Sequence, residues 1–213
     1  MSVFCDVFQK CVDNKCVRIS DKFPVRKIWE EASMEEYQPL TSSDPNVQVM
    51  SLYDDEAQLI TVGFDYNWFG GPISVVCLSS NGQINMGNAC DSSFNLKAIG
   101  SYNAARIAFV QEDIDPPEGG SVKYLVKSSP SSLKISFEDV KFYPRDGLVQ
   151  AQVELFPNGD ILFCYGEGDM ASNRFAAGVE TQDAAYPIPD SPFNAVGITS
   201  VWPTDTCWRF QMP

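Results

Sequence analysis

Two short runs of carboxylates are the residues of this chain best placed to do chemistry. In Glu112-Asp113-Ile114-Asp115-Pro116-Pro117-Glu118-Gly119-Gly120, the side chains of Asp113, Asp115 and Glu118 are closely spaced and the paired glycines allow a tight turn. Such an oxygen-rich set suits Ca²⁺, which takes about six to eight oxygen ligands. The loop has no complete EF-hand pattern, and the plain alternative is a solvated acidic turn in which Asp caps the chain. A second run, Asp54-Asp55-Glu56, reads as a solvated turn. Trp68 and Trp202 are the aromatic candidates for binding a sugar or a partner, set against a role for most such aromatics in the core.

Composition excludes much else. The chain has no His, which removes the usual base of Ser and Cys nucleophiles, the commonest zinc ligand and the physiological pH switch. Glycoside hydrolysis needs two carboxylates facing across a cleft, which spacing does not reveal among 28 Asp and Glu, so the chain is read as non-catalytic. Its formal net charge of -13 disfavours nucleic acid and anionic lipid as partners. Cations, basic proteins and neutral glycans stay open. No apolar run is long enough for a membrane span. Met1-Ser2-Val3-Phe4-Cys5-Asp6 lacks the regions of a signal peptide, so for a secreted protein that segment is expected to be removed or to lie outside this sequence.

Seven cysteines, with neither a Cys-x-x-Cys pair nor a His to build a zinc cage, point to disulfides and an oxidising compartment. Seven is odd, so one thiol is left over. Ser80-Asn81-Gly82-Gln83 between apolar runs reads as a hairpin. With Asn81 and Gly82 as its turn, Cys77 falls opposite Met86 and close to Cys90, making Cys77 with Cys90 the first candidate pair. Cys164 with Cys207 is the second. Cys5, Cys11 and Cys16 crowd a short N-terminal segment that cannot form a core alone and is expected to be stapled.

The elements that position these residues are strands. From Ser121 to Tyr165, four runs alternate apolar and polar residues, and Phe156-Pro157-Asn158-Gly159-Asp160 marks a hairpin between two of them. Leu133, Ile135 and Phe137 define one buried face and Lys134, Ser136 and Glu138 an opposite, wet one. Phe64, Tyr66 and Trp68 alternate in the same way. One or two helical turns are expected within residues 27–37 and a turn of helix near 94–99, with a boundary near residue 40. The reading is an all-β, antiparallel two-sheet β-sandwich of about eleven or twelve short strands over 41–213, preceded by a Cys-rich segment and linker over 1–40.

The order of motifs is also distinctive. GFDYNWFG, VCLSSNGQINMG, IAFVQEDIDP, LKISFEDVKFY, AQVELFPNGDILFCYGE and AAGVET, spanning roughly residues 59–182, together resemble the nidogen-type (NIDO) extracellular β domain, found also in plexin-domain-containing proteins. Phe109 and Gln111 depart from the family's more usual Pro and Trp. The resemblance implies an extracellular or secreted, non-catalytic module of matrix, adhesion or cell-surface assemblies, whose partners are other extracellular proteins or further copies of itself. The alternative is a Ca²⁺-dependent glycan-binding module.

Overall fold

The computed structural model describes residues 9–12, 15–18, 28–101, 104–144, 147–170, 174–189, 192–194 and 197–213. Strands β1 (Gln9–Val12) and β2 (Lys15–Arg18) pair as an antiparallel ribbon with Cys11 opposite Cys16 in register. The expected bonding of Cys5, Cys11 and Cys16 lies outside the described side chains.

The other strands are β3 (Trp29–Ala32), β4 (Gln48–Met50), β5 (Ala57–Trp68), β6 (Gly71–Ser79), β7 (Gln83–Met86), β8 (Arg106–Gln111), β9 (Ile114–Asp115), β10 (Ser121–Ser128), β11 (Ser131–Phe142), β12 (Leu148–Leu155), β13 (Ile161–Tyr165), β14 (Phe175–Glu180), β15 (Ala185–Pro187), β16 (Ile198–Thr199) and β17 (Thr206–Phe210). They form an eight-stranded sheet in the order β3-β17-β13-β12-β11-β10-β4, with β9 on β11, and a seven-stranded sheet in the order β15-β14-β8-β7-β6-β5, with β16 on β14. The fold is the expected all-β sandwich. Its strand count exceeds the expected eleven or twelve because two-residue and three-residue strands such as β9, β15 and β16 carry too few residues to show alternation.

The inner faces meet through residues that alternation marks as apolar. Ile135, Phe137, Val153 and Phe163 of one sheet and Ile60, Val76, Ile84 and Phe109 of the other are buried in one core. Phe109 and Phe137 touch across the layers at 5.1 Å between ring centroids, edge to face, the arrangement that aromatic quadrupoles favour. The buried Tyr165 hydroxyl donates to the Phe109 carbonyl at 2.7 Å, so a core phenol keeps a partner. Both candidate disulfides are formed. Cys77 joins Cys90, and Cys164 joins Cys207, its register partner across β13 and β17.

Several expectations are corrected. Residues 29–32 form a strand rather than a helical turn, followed by a single 3-10 turn at Met34–Glu36 capped by the Ser33 hydroxyl. Because β3 pairs with β17 and Leu40 is buried, the sandwich begins ahead of the boundary placed near residue 40. No helix forms near 94–99. Cys77 stands opposite Asn85, not Met86. The hairpin loop is longer than two residues because Gly82, at positive φ, donates back to Ser79 and accepts from Phe109 and Val110, where a Cβ would meet the Val110 carbonyl at 2.3 Å.

The face of the larger sheet expected to be wet is covered. The segment around Gln38 and Leu40 crosses it: Gln152 donates to the Gln38 carbonyl, Lys123 to the Leu40 carbonyl, and the Leu40 amide donates to Glu138. The smaller sheet has an equivalent cover. Asn81 and Gln83 donate to the carbonyls of Ser92 and Asp91, and Gln111 to that of Asn95, so amide side chains of the sheet hold an irregular segment against it. Beneath that segment, Arg106 is fully buried and donates to Glu180 and Gln83.

Candidate metal centre and aromatic cleft

Asp113 and Asp115 stand where the chain changes sheets. β8 belongs to the smaller sheet and β9 to the larger, so Glu112 and Asp113 form the crossing. Ile114 between the aspartates is fully buried, and a period of two places its neighbours on the other side. A second crossing runs from β4 in the larger sheet to β5 in the smaller one, and Asp54 and Asp55 lie on it.

The two crossings meet. One carboxylate oxygen from each of Asp54, Asp55 and Asp113 lies within 4.8 Å of the others. A single amide aligns them: Asn81 Nδ2 donates to Asp55 Oδ1 at 2.8 Å, while Asn81 Oδ1 accepts from the Ile114 amide at 2.8 Å. Asp55 takes a left-handed backbone conformation, with φ of 52°, which Asp tolerates better than most residues. Glu56, the third member of the acidic run, turns away and closes its own loop by accepting from the Tyr53 amide and the Gln58 side chain.

The electrostatics are those of crowded like charges. Burial, then Asp54, Asp55 and Asp115, push the Asp113 carboxyl up to about 6. Asp115 is raised by burial first, then by Asp54, Glu118 and Asp55. It is only 8% exposed, does not cap the 3-10 turn Pro116–Glu118 that it precedes, and its Oδ1 has no hydrogen-bond partner. Among the described residues, none of Asp54, Asp55, Asp113 and Asp115 takes part in a salt bridge.

The structure therefore brings Asp113 together with Asp54 and Asp55, residues that spacing had assigned to a solvated turn. Glu118 stays exposed on its 3-10 turn, outside the three-carboxylate group. The missed signal is topological: two acidic runs, each beside a strand that changes sheets, are 58 positions apart between Asp55 and Asp113 and meet only in three dimensions.

The aromatic candidates separate. Trp202 is a core residue: its indole donates to the Gly166 carbonyl at 2.8 Å and its ring packs on Tyr165 and Phe175, which leaves no face for a ligand. Trp68 is half-buried and lines an open cleft of about 440 Å³ with Phe69, Tyr186, Gln182 and Asp183. Phe69 stacks on Tyr186 at 5.6 Å and meets Trp68 edge to face at 5.0 Å. Phe69 and Tyr186 were not legible as site residues, because Tyr186 arrives from a loop far along the chain. The cleft lies at the end of β5 opposite the aspartates, roughly 25 Å away at about 3.3 Å per residue of its paired neighbour β6, because β5 is bulged between Thr61 and Tyr66.

A sandwich of this topology, stapled by two disulfides, is matched by the NIDO-related family model over residues 30–204, and the chain belongs to that family. No curated protein and no solved structure matches the chain significantly. No helix among the described residues is long and apolar enough to cross a membrane.

Proposed function

We propose that the chain is a non-catalytic, extracellular module that makes contacts with other extracellular proteins, further copies of itself included. The observation that carries this reading is the pair of disulfides inside a NIDO-related domain, since such bonds persist in oxidising compartments. Nidogen-type domains belong to matrix, adhesion and cell-surface proteins, and the resemblance in motif order extends that role to this chain. The acidic surface disfavours nucleic acid as a partner.

The test is binding of the labelled, oxidised domain to extracellular matrix pretreated with either protease or glycosidases. Loss after protease and retention after glycosidases is the expected result; the reverse pattern would sink the protein-contact reading.

A glycan ligand is the second reading, favoured by the cleft of Trp68, Phe69 and Tyr186, because sugars stack on aromatic faces beside polar groups such as Gln182 and Asp183. No carboxylate of the aspartate group lines the cleft, so sugar binding there is expected to be unchanged by EDTA. Glycan-array binding lost in Trp68→Ala and unchanged by EDTA would establish it.

A further inference from the structure

We propose that the free edge of β5 over residues 57–61 is a docking site for an extended segment of another extracellular protein, one whose alternating apolar residues are flanked by Lys or Arg. The inference rests on the protein-contact reading above and names the surface that makes the contact.

Among the described strands, the larger sheet ends in β3 and β4 and the smaller in β15 and β5. Open edges recruit foreign strands, and proteins blunt them with charge, proline or shortness. Three of these four edges are blunted in that way. β3 carries exposed Glu30 and Glu31, β4 has three residues, and β15 has three and ends in Pro187. β5 differs. It is 12 residues long, and ahead of its bulge it runs Ala57-Gln58-Leu59-Ile60-Thr61, with neither charge nor proline.

Hydrogen-bond parity shows which backbone groups lie open. In an antiparallel ladder, facing residues alternately bond to each other and turn their groups away. Ser80 donates to the Glu56 carbonyl at 2.8 Å, while the Val75 carbonyl, opposite Thr61, accepts from Gly87 at 3.0 Å on the other side of β6. Gln58 and Ile60 therefore bond to β6, and the N–H and C=O groups of Ala57, Leu59 and Thr61 point to the free edge. No described strand pairs with them there. The side chains of Leu59 and Thr61 are exposed, Leu59 by 54%. A Cβ at Gly63 would meet Val126 of β10 at 2.5 Å, so this edge runs beside the rim of the larger sheet, where Val126 is half-buried. An added strand would turn every second side chain toward that rim and the others beside Leu59.

Charge selects the occupant. Residues 48–68 and 107–120 contain no Lys or Arg. At the Ala57 end of the edge, Asp54, Asp55 and Asp113 hold carboxylate oxygens within 4.8 Å of one another. A basic side chain beside the docked run complements that end, whereas a second copy of this chain would bring the same acids and no base.

The test pans a library of linear peptides on the intact, oxidised chain, titrates the synthesised binders in a calorimeter and follows amide exchange of the complex by NMR. The expected binders combine alternating apolar residues with Lys or Arg and slow exchange at Ala57, Leu59 and Thr61. Leu59→Pro removes an amide that the β6 ladder does not use, so the fold should stand by circular dichroism while affinity falls at least about tenfold. Leu59→Lys, an exposed change that sets a like charge against the partner, should give the same loss if the proline variant does not fold. Asp55→Asn should weaken the same peptides about threefold, and Asp183→Asn, in the distant cleft, should leave them unchanged. The proposal is overturned if no peptide is enriched, if binders protect amides away from β5 or lack a basic residue, if the folded Leu59 variants bind as wild type, or if the free chain dimerises through this edge in sedimentation. Protease-sensitive matrix binding retained by the Leu59 variants would keep the protein-contact role and remove this edge, whereas protease-resistant binding of the wild type would sink the wider reading.

Discussion

On the outer face of the larger sheet, Glu154 meets Ser132 at 2.6 Å, Lys127 at 2.9 Å and Lys134 at 3.2 Å, whereas at the crossings Asp54, Asp55 and Asp113 meet one another. Burial alone would raise the Glu154 carboxyl, but the Ser132 hydrogen bond, Lys134 and Lys127 outweigh it and hold it below its ordinary value. Asp113, also partly buried, moves the opposite way. The same side-chain chemistry thus reports two purposes. A carboxylate whose donors are supplied by the fold is held in its charged form, and one left among like charges is pushed toward its neutral form.

The largest effect is expected where compensation is most complete. Arg106→Ala removes the buried cation beside Glu180 beneath the 91–97 cover and should lower stability by roughly 3–5 kcal/mol, read from the midpoint of urea unfolding. A loss under 1 kcal/mol, the scale of exposed pairs, would put that pair on a par with surface charge.

Glu154→Gln comes next. Removing the charge leaves Lys134 buried without its partner and should cost about 1–3 kcal/mol at neutral pH. Because the folded-state pKa of Glu154 is depressed, its contribution is present above the ordinary value of 4.5 and is lost as pH falls below it. Melting temperature against pH should therefore be flatter on the acid side in the variant, and an unchanged acid limb would contradict the assignment.

The smallest effect has the opposite sign. In metal-free buffer, Asp54→Asn relieves repulsion at an exposed position and should stabilise the chain slightly, by no more than about 0.5 kcal/mol. A loss of stability without metal would mean that the crossings are already compensated.

The sheet was legible where strands are long and one face is wholly apolar. β10 to β13 follow the alternation from Ser121 to Tyr165, and both Asn-Gly turns fall between paired strands. What alternation cannot show is a second cover. Lys134 and Ser136 look like solvent-facing residues by pattern, yet both are buried, because the segment around Gln38 and Leu40 satisfies that face with backbone carbonyls. The covering segment itself has no periodicity, and its 3-10 turn was expected to be part of a longer helix for want of any cue to β3. The site was half legible for a related reason. Asp113 and Asp115 share a face at a spacing of two, but their companions come from another crossing, and only the path of the chain between sheets brings them together.

That path has a consequence for how the protein is made. β17 lies between β13 and β3, and Arg209 on it reaches Glu36, 173 positions earlier in the chain. At roughly 5–20 residues per second, a ribosome leaves β3 without its neighbour for about 10–35 s after it emerges. Throughout that interval β3 presents an open edge of the kind that recruits foreign strands, and β13, made about 45 residues ahead of the end of β17, joins it only for the last few seconds. A chain cut short ahead of Thr206 never closes them, so truncated products should accumulate as aggregates for quality control to clear rather than as partly working modules.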